Sequence, residues 1–298
     1  MSLTETTPQT HAADSLFRRN LAMFAANRLA MASAVVVVLF VVMAIFAPWI
    51  APHDPNETDL FRRLQPPGWA PGGEWAFVLG CDALGRDILS RIIYGARISI
   101  FIGLAVIVVA TMIGILAGLA SGYLRGWVDV VISRIVDILL GFPYLIFAIG
   151  LMAMMGPGLW NIILALAYKE WVIPARVVRG ETLATRELEY VEAARALGAS
   201  RWHIMLREIL PNILSPVIVV STIRMAHVII LEASLSFLGL GVQPPTASWG
   251  SMVADGRAFI LEAWWVSTFP GLAILLLVLA INVASQGLRD AFDPRFAE

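Results

Sequence analysis

Long uncharged stretches alternate along this chain with shorter charged ones. Leu29 to Pro52, Ile98 to Leu124 and Ala263 to Leu288 contain no Asp, Glu, Lys or Arg. About 20 mostly apolar residues cross a bilayer core of roughly 30 Å, so each stretch predicts one membrane helix. Ile138 to Tyr168 is also uncharged but long for one span, and Gly156-Pro157-Gly158 interrupts it. Gly and Pro together favour a turn. The pattern therefore predicts one helix over about 131–155 and another over about 159–178. A further span, about 212–231, carries Arg224 and His227 inside it. The first run is too long for the 7–15-residue core of a signal peptide, and no A-x-A-like site follows it. It is expected to remain as a membrane helix, which makes six in all.

Composition agrees with this pattern. Of 298 residues, 59% are hydrophobic and 14% charged, against about 45–50% and a quarter in soluble domains. The mean hydropathy is +0.78. A disordered chain and a soluble enzyme are both disfavoured, and a net charge of −1 gives no nucleic-acid reading. Cys81 is the one cysteine, which excludes an intrachain disulfide and a cysteine-based metal cluster.

Lys and Arg accumulate in cytoplasmic segments. With the N-terminus inside, thirteen fall in inner segments. Six fall outside: Arg62, Arg63, Arg86, Arg91, Arg97 and Arg257. Both termini are thus expected in the cytoplasm. The predicted plan is a tail over 1–28, a first span over 29–52, an outer loop over 53–97, a core of five spans over 98–290, and a tail over 291–298.

The inner segment 179–211 is the most charged part of the chain. Thr185 is placed to cap a helix from Arg186, with Tyr190, Ala193, Ala194 and Leu197 on one face and Glu189, Glu192 and Arg195 on the other. Gly198 is expected to end it, Ser200 to cap a second short helix to about Ile209, and Pro211 to stop that one. Two amphipathic helices at a glycine corner suit either a lipid-surface loop or a docking surface. Alanines at 193 and 194 favour docking, because they let another protein approach closely.

Glu192-Ala193-Ala194, Gly198 and Leu210-Pro211 together resemble the E-A-A-x3-G-x9-I-x-L-P loop of ABC importer permeases. Glu208 stands where that pattern has Ile, and Ile209-Leu210-Pro211-Asn212 resembles the version in dipeptide and oligopeptide permeases. Further stretches are similar to the "C"-type subunit of the dipeptide/oligopeptide/nickel permeases. They are Leu79 to Asp87, where Cys81 replaces a more usual Thr, Tyr94 to Arg97, Leu235 to Gly241, Ser248-Trp249-Gly250, and Leu288 to Arg295. The resemblance runs from about residue 30 to the end.

It implies an all-α, six-helix type I importer permease in a bacterial inner membrane, embedded in lipid and binding no nucleic acid. The implied partners are a second homologous permease subunit, two cytoplasmic ATPases and an extracytoplasmic solute-binding protein. The chain has no Gly-x-x-x-x-Gly-Lys-Ser/Thr loop, so it is expected to bind no cofactor itself, with ATP-Mg on the partner ATPases. It is expected to be no enzyme. Coupling would run through Glu192, Ala193, Ala194, Gly198, Leu210 and Pro211. The favoured cargo is a di- or oligopeptide, with nickel, glutathione or another small solute as the alternative.

Rivals of other classes fare worse. An intramembrane enzyme built on His227, Ser234 and Ser236 has no G-x-S-x-G elbow or H-E-x-x-H pair. A secondary transporter would not need the 179–211 loop. The outer loop, with Pro66, Pro67, Gly68, Pro71, Gly72 and Gly73, is either a plain connection or part of the binding protein's dock.

Lys169, Glu170, Arg224 and His227 lie within spans, where a charge at the centre costs at least about 2.5–3.5 kcal/mol. Antiparallel spans would bring Glu170 and Arg224 to similar depth. These charges either lock helices together or line a pathway.

Overall fold

The structure is a computed structural model that describes residues 22–292. All regular structure among them is helical, apart from one antiparallel bridge between Cys81 and Asp87. The predicted terminal tails fall largely outside the described residues.

Ten helices matter here. They are α1 (Arg28–Ile45), α2 (Ile88–Leu124), α3 (Gly126–Gly141), α4 (Tyr144–Met155), α5 (Leu159–Glu170), α6 (Val172–Thr185), α7 (Glu189–Ala196), α8 (Arg201–Phe237), α9 (Trp249–Gly256) and α10 (Trp265–Phe292). Four of them, α1, α2, α8 and α10, are each long and apolar enough to cross a membrane. The pair α3–α4, bent by 94°, would make a fifth span. α5 and α6 are each too short alone.

Several predicted boundaries move, each for a physical reason. α2 begins at Ile88, not Ile98, because Asp87 caps it and accepts the Ser90 amide at 2.8 Å. Arg91 and Arg97 are therefore helical. The span predicted over 131–155 is broken at Phe142-Pro143: proline disfavours helical backbone in the residue before it, and Phe142 is extended at ψ 136°. The fourth span is two helices joined at Trp171. The second runs on to Thr185, which is buried as the last residue of α6 and caps nothing. α7 starts only at Glu189.

Pro211 does not stop its helix. Residues Ile204–Ile209 widen to a π-helix, with the Leu210 amide donating to Met205 O, and the chain continues unbroken into the next span. Proline has no N–H to give, and its ring crowds the carbonyl four residues back. A π segment absorbs that misfit. The Glu208 carbonyl is taken up by Asn212 Nδ2 at 2.6 Å.

α2 is the central pillar. One turn apart, Gly114, Gly118 and Gly122 face α6, and a Cβ on Gly118 would lie 2.6 Å from Val178 Cβ and 2.7 Å from Ala175 O. Only hydrogen at these positions lets the two backbones come so close. One apolar core joins α1, α2, α8, α9 and α10 around Ile88, Ile229, Trp249 and Leu277. A second joins α2, α4, α5 and α8 around Ile102, Met152, Leu166 and Leu235. A third packs α7 and the π segment on α2 and α6 through Val191, Ile204 and Ile209. At 37 residues, α2 holds its two ends about 55 Å apart.

Candidate functional site

Three groups of residues stand out, two at opposite ends of α2 and one between them. At the Leu124 end lies α7. Gly198 follows its C-cap with φ +82°. The Gly198 amide donates to Arg195 O at 3.0 Å and the Ala199 amide to Ala194 O at 3.1 Å. That is the Schellman pairing, which closes the last carbonyls of the helix. Ser200 then caps the next helix, accepting the His203 amide at 3.2 Å.

The exposed face of α7 differs from the sequence expectation. Val191 is fully buried and Ala194 half-buried against the π segment. Tyr190, Ala193 and Leu197 point outward with Glu192, and Leu197 is 88% exposed. Beyond the corner Trp202 is 67% exposed. Leu210 packs inward, while Pro211 is exposed. Arg186 fastens this end to α2 by donating to Tyr123 O at 2.7 Å, and Arg179 grips Asp129 of α3 through Nε at 2.6 Å and Nη2 at 2.7 Å.

At the Ile88 end, motifs far apart in sequence meet. Trp249 is fully buried, donates from Nε1 to Ile92 O at 2.9 Å, and stands where a side chain on Gly95 would be. Asp82 accepts Arg86 Nε at 2.6 Å, and the buried Arg91 donates to Pro55 O at 3.1 Å. His53 stacks on Phe77 at 4.5 Å, and its amide donates to Ser90 Oγ at 3.0 Å. The segment 53–87 is therefore a packed cap, tied to α2 and, through Trp265 Nε1 and Cys81 O at 3.3 Å, to α10. Cys81 is fully buried, and burial first, then Asp87 and Asp82, pushes its thiol up to about 12. It is an inert thiol. Leu60 and Phe61, by contrast, are left exposed on this cap.

Between the two ends sits the charge cluster. Arg224 on α8 donates through Nε to Glu170 Oε1, and through Nη2 to Oε2 at 3.0 Å. Arg224 Nη2 also lies 2.9 Å from His227 Nδ1. Glu170 is fully buried, whereas the side chains of Arg224 and His227 are 22% and 39% exposed. Lys169 does not join this pairing. Its ammonium donates to the carbonyl of Phe142, at the end of α3, and sits 5.2 Å over the Tyr144 ring. Tyr144 Oη donates to Leu166 O at 2.7 Å. A cation at a helix C-terminus meets the negative end of its dipole. Lys169 and Tyr144 thus hold the α3–α4 bend against α5.

One buried acid was not singled out from the sequence. Glu232 is fully buried on α8, where it accepts Ser99 Oγ at 2.9 Å and Ser236 Oγ at 2.8 Å. Its only signal was a carboxylate next to an apolar run. No grouping of acidic, histidine or cysteine side chains suited to a metal ion occurs among the described residues.

The chain is thus a helical membrane protein with a packed cap at one end and a glycine-cornered, outward-facing helix at the other. Comparison with known proteins makes this specific. Residues 110–298 match the family described as binding-protein-dependent transport system inner membrane component, and residues 15–67 match the N-terminal TM domain of oligopeptide transport permease C. The chain belongs to this family of ABC importer permeases, multi-pass proteins of the bacterial inner membrane whose ATPase resides on separate subunits.

Among its relatives is the di/tripeptide transport system permease protein DppC of Pseudomonas aeruginosa, 44% identical over 91% of this chain and 90% of that one. The probable D,D-dipeptide transport system permease protein DdpC of Escherichia coli is 44% identical over 92% and 90%. The glutathione transport system permease protein GsiD of Pectobacterium atrosepticum is 43% identical over 91% and 89%. The fold is shared with a chain of the MetNI methionine ABC transporter in an inward-facing form, with a TM-score of 0.55 and 20% identity over 68% of this chain and 97% of that one.

Proposed function

We propose that this permease forms half of the membrane pathway of a peptide importer, with a second homologous permease as the other half. The cargo reading rests on relatives about 44% identical over some nine-tenths of both chains that are named for di- and tripeptides. Glutathione, named for a relative almost as similar, is the second reading. Six spans are proposed, with α3–α4 and α5–α6 each crossing once as a broken helix and both termini in the cytoplasm.

Coupling is proposed to run through α7. The observation that carries this is the Gly198 corner, which presents Glu192, Ala193 and Leu197 outward from a helix anchored by Val191. Small and apolar side chains on a short, well-ended helix suit a groove on one ATPase, with the second permease meeting the other. ATP-driven closure of the ATPases would move α7, the π segment and α8 together, swinging the pathway between inward and outward access by rigid-body motion.

Gly198→Val tests the coupling. A Cβ there would meet no atom within 4 Å, so the harm would come from φ alone. Gly198→Val should insert and assemble but lose most substrate uptake and most ATPase stimulation by loaded binding protein, whereas Gly198→Asn, which tolerates this backbone, should keep both. Normal coupling in the assembled valine variant would sink the reading.

Orientation has its own test. A cysteine at Glu74 should react with an impermeant maleimide added to intact cells, and one at Glu189 should not. The buried Cys81, with its raised thiol pKa, should stay silent in both. The opposite labelling pattern would invert the topology.

A further inference from the structure

Glu170 uses only part of the Arg224 fork. Nε and Nη2 face the carboxylate, and Nη2 also meets His227 Nδ1 at 2.9 Å. Arginine has no acceptor, so Nδ1 must be the acceptor and the imidazole proton sits on Nε2. Two donors remain without a hydrogen bond among the described residues: Arg224 Nη1 and His227 Nε2–H. Both belong to part-exposed side chains, while Glu170 behind them is sealed. At membrane depth, polar groups left open usually face a watery cavity or protein rather than lipid.

The same face of α8 continues past His227 as Ile230 and Ser234. A crevice of about 380 Å³ starts there, lined by Leu145, Ile230, Ala233, Ser234, Phe237 and Val253. It begins about 4.5 Å along the helix axis from His227. Leu145 follows Tyr144, whose ring lies 5.4 Å from that of His227. Two part-exposed donors therefore lie beside an almost wholly apolar slot.

We propose that Arg224 and His227 form a transient subsite for a free carboxylate inside the pathway, and that the crevice receives the side chain next to that carboxylate. This arrangement fits the C-terminal residue of a short peptide. It rests on the peptide-import reading above and assigns separate roles to the charges. Glu170 is spent on holding Arg224, and Lys169 on the α3–α4 bend, so neither meets the cargo. Because Glu170 already neutralises Arg224, the two remaining donors bind a carboxylate weakly enough to let the cargo leave, as conduction requires.

The test uses the complete importer, with its binding protein and ATPases, in proteoliposomes. ATP-driven uptake is measured for a tripeptide and for the same peptide amidated at its C-terminus, with wild type and His227→Phe. Phenylalanine keeps a ring against Tyr144 and removes the Nε2–H. The binding protein's own preference is common to both permeases and cancels when their acid-to-amide ratios are compared. That ratio should fall about tenfold in His227→Phe, the loss of one hydrogen bond to a charged group. Ala233→Leu, which fills the crevice, should slow a peptide ending in Phe and spare one ending in Gly.

An unchanged acid-to-amide ratio in an active His227→Phe importer overturns the proposal. Loss of assembly in that variant, with an unchanged ratio in the complex that remains, would overturn it in favour of a contact with the second permease. If wild type imports neither peptide, the peptide reading itself fails, and the subsite falls with it.

Discussion

Gly118→Leu should leave almost no assembled permease in the membrane. The α2–α6 contact has no room for it: even a Cβ would stand 2.7 Å from the Ala175 carbonyl and 2.6 Å from Val178. A flexible neighbour could yield, but a backbone carbonyl within a helix cannot move without shifting the helix. Overpacking typically costs about 1–3 kcal/mol, and an obstructing backbone puts this site at the upper end or above. Gly118→Ala should already lower the melting temperature of the detergent-solubilised complex, and Leu should remove nearly all of it. Gly150→Leu is the control, because a Cβ there meets nothing within 4 Å in this chain. Equal yield and melting for Gly118→Leu and wild type would refute the close packing.

Arg224→Gln should be nearly as damaging. Glu170 would be left fully buried with the two bonds from its cation gone. Removing one partner of a buried pair costs about 3–5 kcal/mol. Glu170→Gln should cost less, because Arg224 is part-exposed and can reach water. The double variant Glu170→Gln/Arg224→Gln should recover much of the loss, since two neutral amides can bond each other. A double-mutant cycle on thermal stability of the assembled complex reads the coupling directly. If Arg224→Gln alone leaves stability untouched, the pair does not hold α5 to α8.

The charge cluster was unusually legible in the sequence, and the reason is physical. Ionisable residues are so costly within spans that four of them in two apolar stretches stand out without any structure. Antiparallel depth then places Glu170 opposite Arg224. Lys169 was not legible in the same way, because its partner is a backbone carbonyl freed by the break at Pro143, and a carbonyl leaves no mark in a sequence. Glu232 was not legible either. The span predicted to end near Leu231 runs on to Phe237, with the acid satisfied inside it by Ser99 and Ser236.

The corner at Gly198 followed from its residue type, since few others suit that backbone. Which face of α7 turns outward did not follow. Val191 decides it, and its seat is built from the π segment, whose origin lies in Pro211 and Asn212 some twenty residues later. The stretches 79–97 and 235–250 read as separate signatures. Nothing local announces that Trp249 fills the space beside Gly95.

The unbroken course of α8 has a mechanical consequence. From Arg224 the helix extends about 35 Å to Arg201 and about 20 Å to Phe237. Taken as a lever with its fulcrum at Arg224, a tilt of about 5° would sweep the Arg201 end by about 3 Å and the Phe237 end by about 2 Å in the opposite sense. The guanidinium, only about 6 Å off the axis, would travel about 0.5 Å, less than the slack of a hydrogen bond. A clamp placed at the fulcrum can stay closed while both arms of the lever swing.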